Sequence, residues 1–207
     1  MTTPNHVPDV HTVIGVDAEL ANLREADRLI HDLVHGLGLP PGTVACTHLI
    51  RSDDRPATAV SLALPDVDAA ESVWQQLTGL DRPELVAALG GREFGPVEAA
   101  RAAAPAAAEH AHRRGGRAVV YPGVDRLTGT VTVADLLGLT AIDRIAVLGQ
   151  PAADGQGLDR AMPVLTRDHV RPEWQHGHLT LTLLPAAGGT LAPFEVPDPT
   201  PCCAEHH

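Results

Sequence analysis

The hydrophobic pattern of this chain predicts an α+β fold made of two unlike halves. Three observations carry that expectation. Residues 10–80 alternate short β-branched runs with stripes of helical period. Residues 96–114 are rich in Ala, the best helix former, and interrupted by Pro105. Beyond residue 116 the pattern changes to short strands separated by turn signals.

Taken in order, residues 11–16 form a β-branched run. Asp17 can then cap a helix whose apolar stripe is Leu20, Leu23, Ile30, Leu33, Val34 and Leu37, ending at Gly36 or Gly38. Pro40-Pro41-Gly42 is a turn, and residues 43–51 and 57–64 read as strands joined by a polar turn at 52–55. The second of these strands has a large face (Thr58, Val60, Leu62, Leu64) and a small one (Ala57, Ala59, Ser61, Ala63), and small residues let a helix approach closely. Asp66 or Asp68 opens a second helix with Val67, Ala70, Val73, Trp74 and Leu77 on one side. Asp81-Arg82-Pro83 is expected to start a third, closing at Gly90-Gly91. The order β-α-β-β-α is that of a ferredoxin-like sheet. The Ala-rich stretch is expected to give two short helical pieces. Residues 117–121 and 143–148 read as strands, and Thr132 as the cap of a helix through Leu139. Strict alternation from His178 to Leu184, a Gly188-Gly189 turn and residues 190–196 make a hairpin. Pro197, Pro199 and Pro201 stiffen the C-terminal segment. The expected organisation is thus a ferredoxin-like half at 1–95, a helical connector at 96–116, a β-rich half at 117–196 and a Pro-rich tail at 197–207.

Composition limits the chemistry. The formal charge is −11, and all 15 basic side chains other than histidine are Arg. An acidic chain repels phosphate backbones and anionic lipid, which argues against nucleic-acid and membrane partners. Without Lys there is no side-chain Schiff base and no phosphate-loop lysine. Five aromatic side chains are too few for an extended stacking platform. Three cysteines, two of them adjacent, make a poor disulfide framework, and the absence of an apolar leader in residues 1–10 fits a cytoplasmic protein.

Four groups of residues carry candidate chemistry. The terminus Cys202-Cys203-Ala204-Glu205-His206-His207 gathers thiolate and imidazole donors, the ligands that Zn²⁺ and copper prefer. Adjacent cysteines bind one ion in strained geometry, so His176 and His178, two residues apart before the hairpin, are expected to complete such a site. A redox-sensitive tail or a homodimer contact is the other use of these cysteines. The stretch from Arg167 to His178 concentrates charge between two apolar elements: Arg167 and Arg171 could hold a small anionic substrate while His169 or Glu173 serves as acid or base. His31 and His35, with Asp27 a turn earlier, share a helix face. Cys46 and His48 share a strand face, which allows a nucleophile and its base or an inert buried pair. Ser52 and Ser61 sit in no nucleophile-elbow context. These groups support two readings. One is a transition-metal-binding protein, with an enzyme acting on an anion as its catalytic form. The other is a metal-independent enzyme or small-molecule-binding module with its ligand between the halves.

Overall fold

A computed structural model of the chain describes residues 9–51, 56–96, 102–149 and 157–196. The first half runs β1 (Val13–Leu20), α1 (Leu23–Leu37), β2 (Val44–Ile50), β3 (Ala57–Ala63), α2 (Val67–Thr78), β4 (Val86–Leu89) and β5 (Arg92–Phe94), followed by α3 (Ala103–Ala111). The second half runs β6 (Arg117–Val120), β7 (Thr130–Thr132), α4 (Val133–Leu139), β8 (Arg144–Val147), β9 (Pro163–Leu165), β10 (Glu173–Gln175), β11 (His178–Ala186) and β12 (Thr190–Pro193). One mixed sheet links them in the order β5-β4-β1-β3-β2-β6-β10-β11-β12-β9-β7, with β8 parallel to β11. The architecture is α+β. No helix among the described residues is long and apolar enough to cross a membrane.

Local chemistry accounts for the helix ends. Asn22 caps α1, its side chain accepting from the Glu25 N–H at 3.0 Å. Asp17, the expected cap, lies buried inside β1, because that strand continues four residues beyond Val16. Gly38 closes α1 in the left-handed region at φ 58°. Asp66 caps α2, and Thr132 forms a reciprocal capping box with Asp135 on α4.

The two faces of β3 organise the first half. Val60 and Leu62 join Ile14 and Val16 of β1 in a core covered by Leu29, Ile30 and Leu33 of α1 and Val73, Trp74 and Leu77 of α2. The small face receives α3, with Ala59 packed against Ala102 and Ala106, and Ala63 against Ala111. Helix and sheet come close enough that a Cβ on Gly15 would overlap the Ala103 carbonyl. Among the described residues, the Ala-rich stretch forms one helix lying on the sheet, with Pro105 in its first turn, where a missing N–H costs nothing.

The helix expected at 81–90 is instead β4. Val86 to Leu89 pair with β1 and are buried on both faces, which overrides the helical propensity of Leu and Ala. Gly90 and Gly91, at φ 54° and 83°, then turn the chain into β5. In the second half Leu136, Ile145, Leu179, Leu181 and Leu183 build a separate core with Trp174 and Tyr121. β6 joins the halves, pairing with β2 on one side and meeting β10 at Arg117–Glu173 on the other.

Candidate ligand cleft and buried histidine relay

Because side chains alternate along β2, its polar residues fall on opposite sides of the sheet. Thr47 and Leu49 look toward α1, Cys46 and His48 toward α3.

On the α1 side a cleft of about 1020 Å³ opens at the junction of the halves, within the size range of small-molecule sites. Its walls are apolar, from Leu20, Leu23, Pro56 and the well-exposed Leu49 (63%) and Phe194 (59%). Its floor is ionic. Arg117, the first residue of β6, is 9% exposed and donates through all of its N–H groups: Nε to Glu195, Nη1 to Asp27 and Thr47, Nη2 to Asp27 and Glu195, at 2.5–3.3 Å. Burial opposes the charge on Arg117, but the hydrogen bonds to Glu195 and Asp27 outweigh it and raise its pKa above the ordinary arginine value. Burial likewise works to raise the Glu195 pKa, and the bonds from Arg117 and His169 reverse it, holding the carboxyl below the usual range.

His169 reaches this floor from a strained turn. Its Nε2 lies 3.0 Å from Glu195 Oε1. Arg167 and Asp168 precede it at φ 54° and 52°, a left-handed pair without glycine, at a cost on the order of 1 kcal/mol each. The turn is closed by His169 N–H to the Thr166 carbonyl and anchored by Gly129, whose N–H donates to Asp168 Oδ1 at 2.9 Å. A histidine oriented by a carboxylate at the edge of a cleft is the geometry of an acid–base group.

The residues singled out from sequence separate here. His169 and Glu173 both line the cleft, Glu173 from the exposed side of β10. Arg171 is largely buried; its Nη1 donates to the Val170 carbonyl and its Nε stands 3.7 Å from Asp27. Burial lowers its pKa, with Asp27 opposing. Arg167 is exposed in the turn. His176 is exposed at the β10–β11 turn, and His178, half-buried, begins β11. His31 and His35 are exposed along α1, whereas Asp27 belongs to the cleft. Cys202, Cys203 and His206 lie outside the described residues. Among the described residues no group of three or more His, Cys, Asp or Glu is arranged to hold a metal ion. Arg117 and Glu195 were missed by sequence reasoning. Arg117 opens β6 and Glu195 follows β12, each a single charge beside a short apolar strand.

On the α3 side, five side chains form a line that is buried except at its Glu109 end. Glu109 Oε2 is 3.0 Å from His48 Nδ1, His48 Nε2 is 2.8 Å from Ser61 Oγ, and Ser61 Oγ is 2.7 Å from His110 Nδ1. His110 Nε2 then lies 4.0 Å from Cys46 Sγ. Cys46, Ser61 and His110 are fully buried, while the Glu109 side chain is 43% exposed. Burial, with the charges of His48 and Arg113, pushes the His110 pKa down to about 3. Burial drives the Cys46 thiol upward, against the pull of Trp174 and Arg117. Gly116, at φ 111°, makes room for this line: a Cβ there would stand 2.7 Å from His48 Cε1. The Glu109–His48–Ser61 distances match an orienter, a base and a nucleophile. Yet Ser61 has no surface for a substrate and is already held by His110, so the line is sealed. The chain matches no known protein family, no curated protein and no solved structure.

Proposed function

We propose that this chain binds a small molecule in the cleft between its halves, with His169, oriented by Glu195, as the acid–base group toward it. The observation that carries this reading is the cleft itself: apolar walls from both halves over a charged floor whose arginine is fully engaged. With every N–H of Arg117 occupied, that guanidinium has no donor left for an anion. What Asp27, Glu195 and Glu173 still offer is acceptor oxygen. Toward this floor the ligand accordingly turns a hydrogen-bond-donating head, such as an amine or an alcohol, on an apolar body, while Arg24 adds a cation elsewhere in the lining. The strand order β4-β1-β3-β2, antiparallel throughout with α1 and α2 on one face, supports a ferredoxin-like reading of the first half.

Titration with a neutral apolar dye such as Nile red, displaced by hexylamine, hexanol or hexanoate, tests this. The amine and alcohol are expected to displace the dye better than the carboxylate, and Leu49→Arg to abolish dye binding. Dye binding that survives Leu49→Arg would overturn the assignment of the cleft.

The transition-metal reading is a separate proposal: Zn²⁺ or copper on Cys202, Cys203 and His206, with His176 and His178. Val196, directly before the tail, lines the cleft beside Glu195. Elemental analysis of untagged protein beside a Cys202→Ser/Cys203→Ser variant decides it, and metal-free wild type that takes up neither ion removes it.

A further inference from the structure

The line from Glu109 to Cys46 has a direction. A carboxylate only accepts hydrogen bonds, so Glu109 requires the proton of neutral His48 on Nδ1. His48 Nε2 is then a lone pair and accepts from the Ser61 hydroxyl. Ser61 Oγ in turn accepts from His110, whose proton must also sit on Nδ1. His110 Nε2, left with its lone pair, faces the Cys46 thiol as an acceptor. Every step is set by one charge at the surface end, because Ser61 has a single proton and each neutral imidazole has one as well.

We propose that these residues form a hydrogen-bond polarity relay, in which the group at position 109 on the surface sets whether the buried Cys46 sulfur faces an acceptor or a donor. One proton added at the Glu109–His48 pair reverses the line. His48 then carries protons on both nitrogens and donates to Ser61, Ser61 donates to His110 Nδ1, and the His110 proton resides on Nε2, directed at the sulfur. The line gains one proton in total, and the thiol keeps its own. In the reversed state the sulfur accepts a hydrogen bond, which favours thiolate, whereas in the resting state a lone pair opposes it. The groups that bear on His48 are Glu109 and His110 of α3, Ser61 of β3 and Cys46 of its own strand. Arg113, after α3, acts on His110, and Trp174 of β10 and Arg117 of β6 act on Cys46 in both states of the line. None of these is used by the cleft except Arg117, which faces it from the other side of the sheet.

The test reads the tautomers directly by long-range ¹H–¹⁵N NMR of the histidine rings, in the full chain. Wild type is expected to show Nδ1–H at both His48 and His110 near neutral pH. Nε2–H at His110 would overturn the proposal before any substitution is made. Glu109→Lys places an obligate donor beside His48 on an exposed position and is expected to switch both rings to Nε2–H. In a Ser61→Ala background the same change should switch His48 alone. A His110 tautomer indifferent to Glu109→Lys, or one that switches equally without the Ser61 hydroxyl, would show that no relay exists.

Discussion

The two sides of β2 solve the same problem in opposite ways. Toward α1, charges are kept: Arg117 is gripped by Asp27 and Glu195, and both carboxylates remain partly wetted by the cleft. Toward α3, charges are kept out: His110 and Cys46 are held neutral by burial, and only Glu109, at the far end, meets water. An ion-pair cluster needs an open side, because full desolvation of three charges would exceed their mutual attraction. A neutral hydrogen-bond line needs closure, since its directionality depends on excluding water. A ligand can therefore reach the first and not the second.

That contrast can be broken most sharply at Arg117. Arg117→Met removes the cation shared by Asp27 and Glu195, leaving only Arg171 at 3.7 Å from Asp27, and is expected to cost about 3 kcal/mol in denaturant-induced unfolding. A loss below about 1 kcal/mol would mean that the cluster is solvated like an ordinary surface pair. On the sealed side, Gly116→Ala forces a residue into φ 111° and its Cβ against His48, for an expected loss of roughly 2 kcal/mol. If the variant is as stable as wild type, the line has more room than its geometry implies.

Acid sharpens the difference. His110 has a native pKa near 3 against an ordinary 6.5, so the unfolded chain binds the extra proton throughout that window. Stability from this group is complete above pH 6.5 and falls by about 1.4 kcal/mol per pH unit on acidification toward 3. Glu195 is also depressed, and its contribution is lost only below the ordinary glutamate value of 4.5. The relay side should therefore weaken first. His110→Asn is expected to flatten the slope between pH 6.5 and 4.5, and Glu195→Gln to flatten only the more acid limb. A slope unchanged in His110→Asn would show that this histidine is not buried neutral.

The smallest effect on stability is expected at Phe194→Ala, within about 0.5 kcal/mol, because the ring is largely exposed. The same substitution should weaken Nile red binding several-fold. Equal binding would place the dye, and hence the ligand, away from the wall Phe194 forms.

How far these sites were legible depended on separation along the chain. Cys46 and His48 declared a common face through the period of two, and His169 and Glu173 stood out by local density of charge. Ser61 was visible only as a small residue among alanines, though that small face is what admits α3 and, with it, His110. Arg117 lies 90 residues from Asp27 and 78 from Glu195, and no local period connects them.

By itself, then, the sequence determined what acts over one or two turns of chain: the start of α2 at Asp66 or Asp68, the cap at Thr132, the stripe of α1, the unlike faces of β3 and the terminal hairpin. These depend on backbone periodicity and on hydrogen bonds between near neighbours. Only the tertiary structure decided that residues 86–89 are a strand rather than a helix, since burial against β1 outweighs their propensity. It alone brought Arg117, Asp27, Glu195 and His169 to one cleft and Glu109, His48, Ser61 and His110 into one line. Those contacts form where the β2–β6 and β3–α3 packings bring distant segments within hydrogen-bonding distance, and spacing in the sequence does not encode that distance.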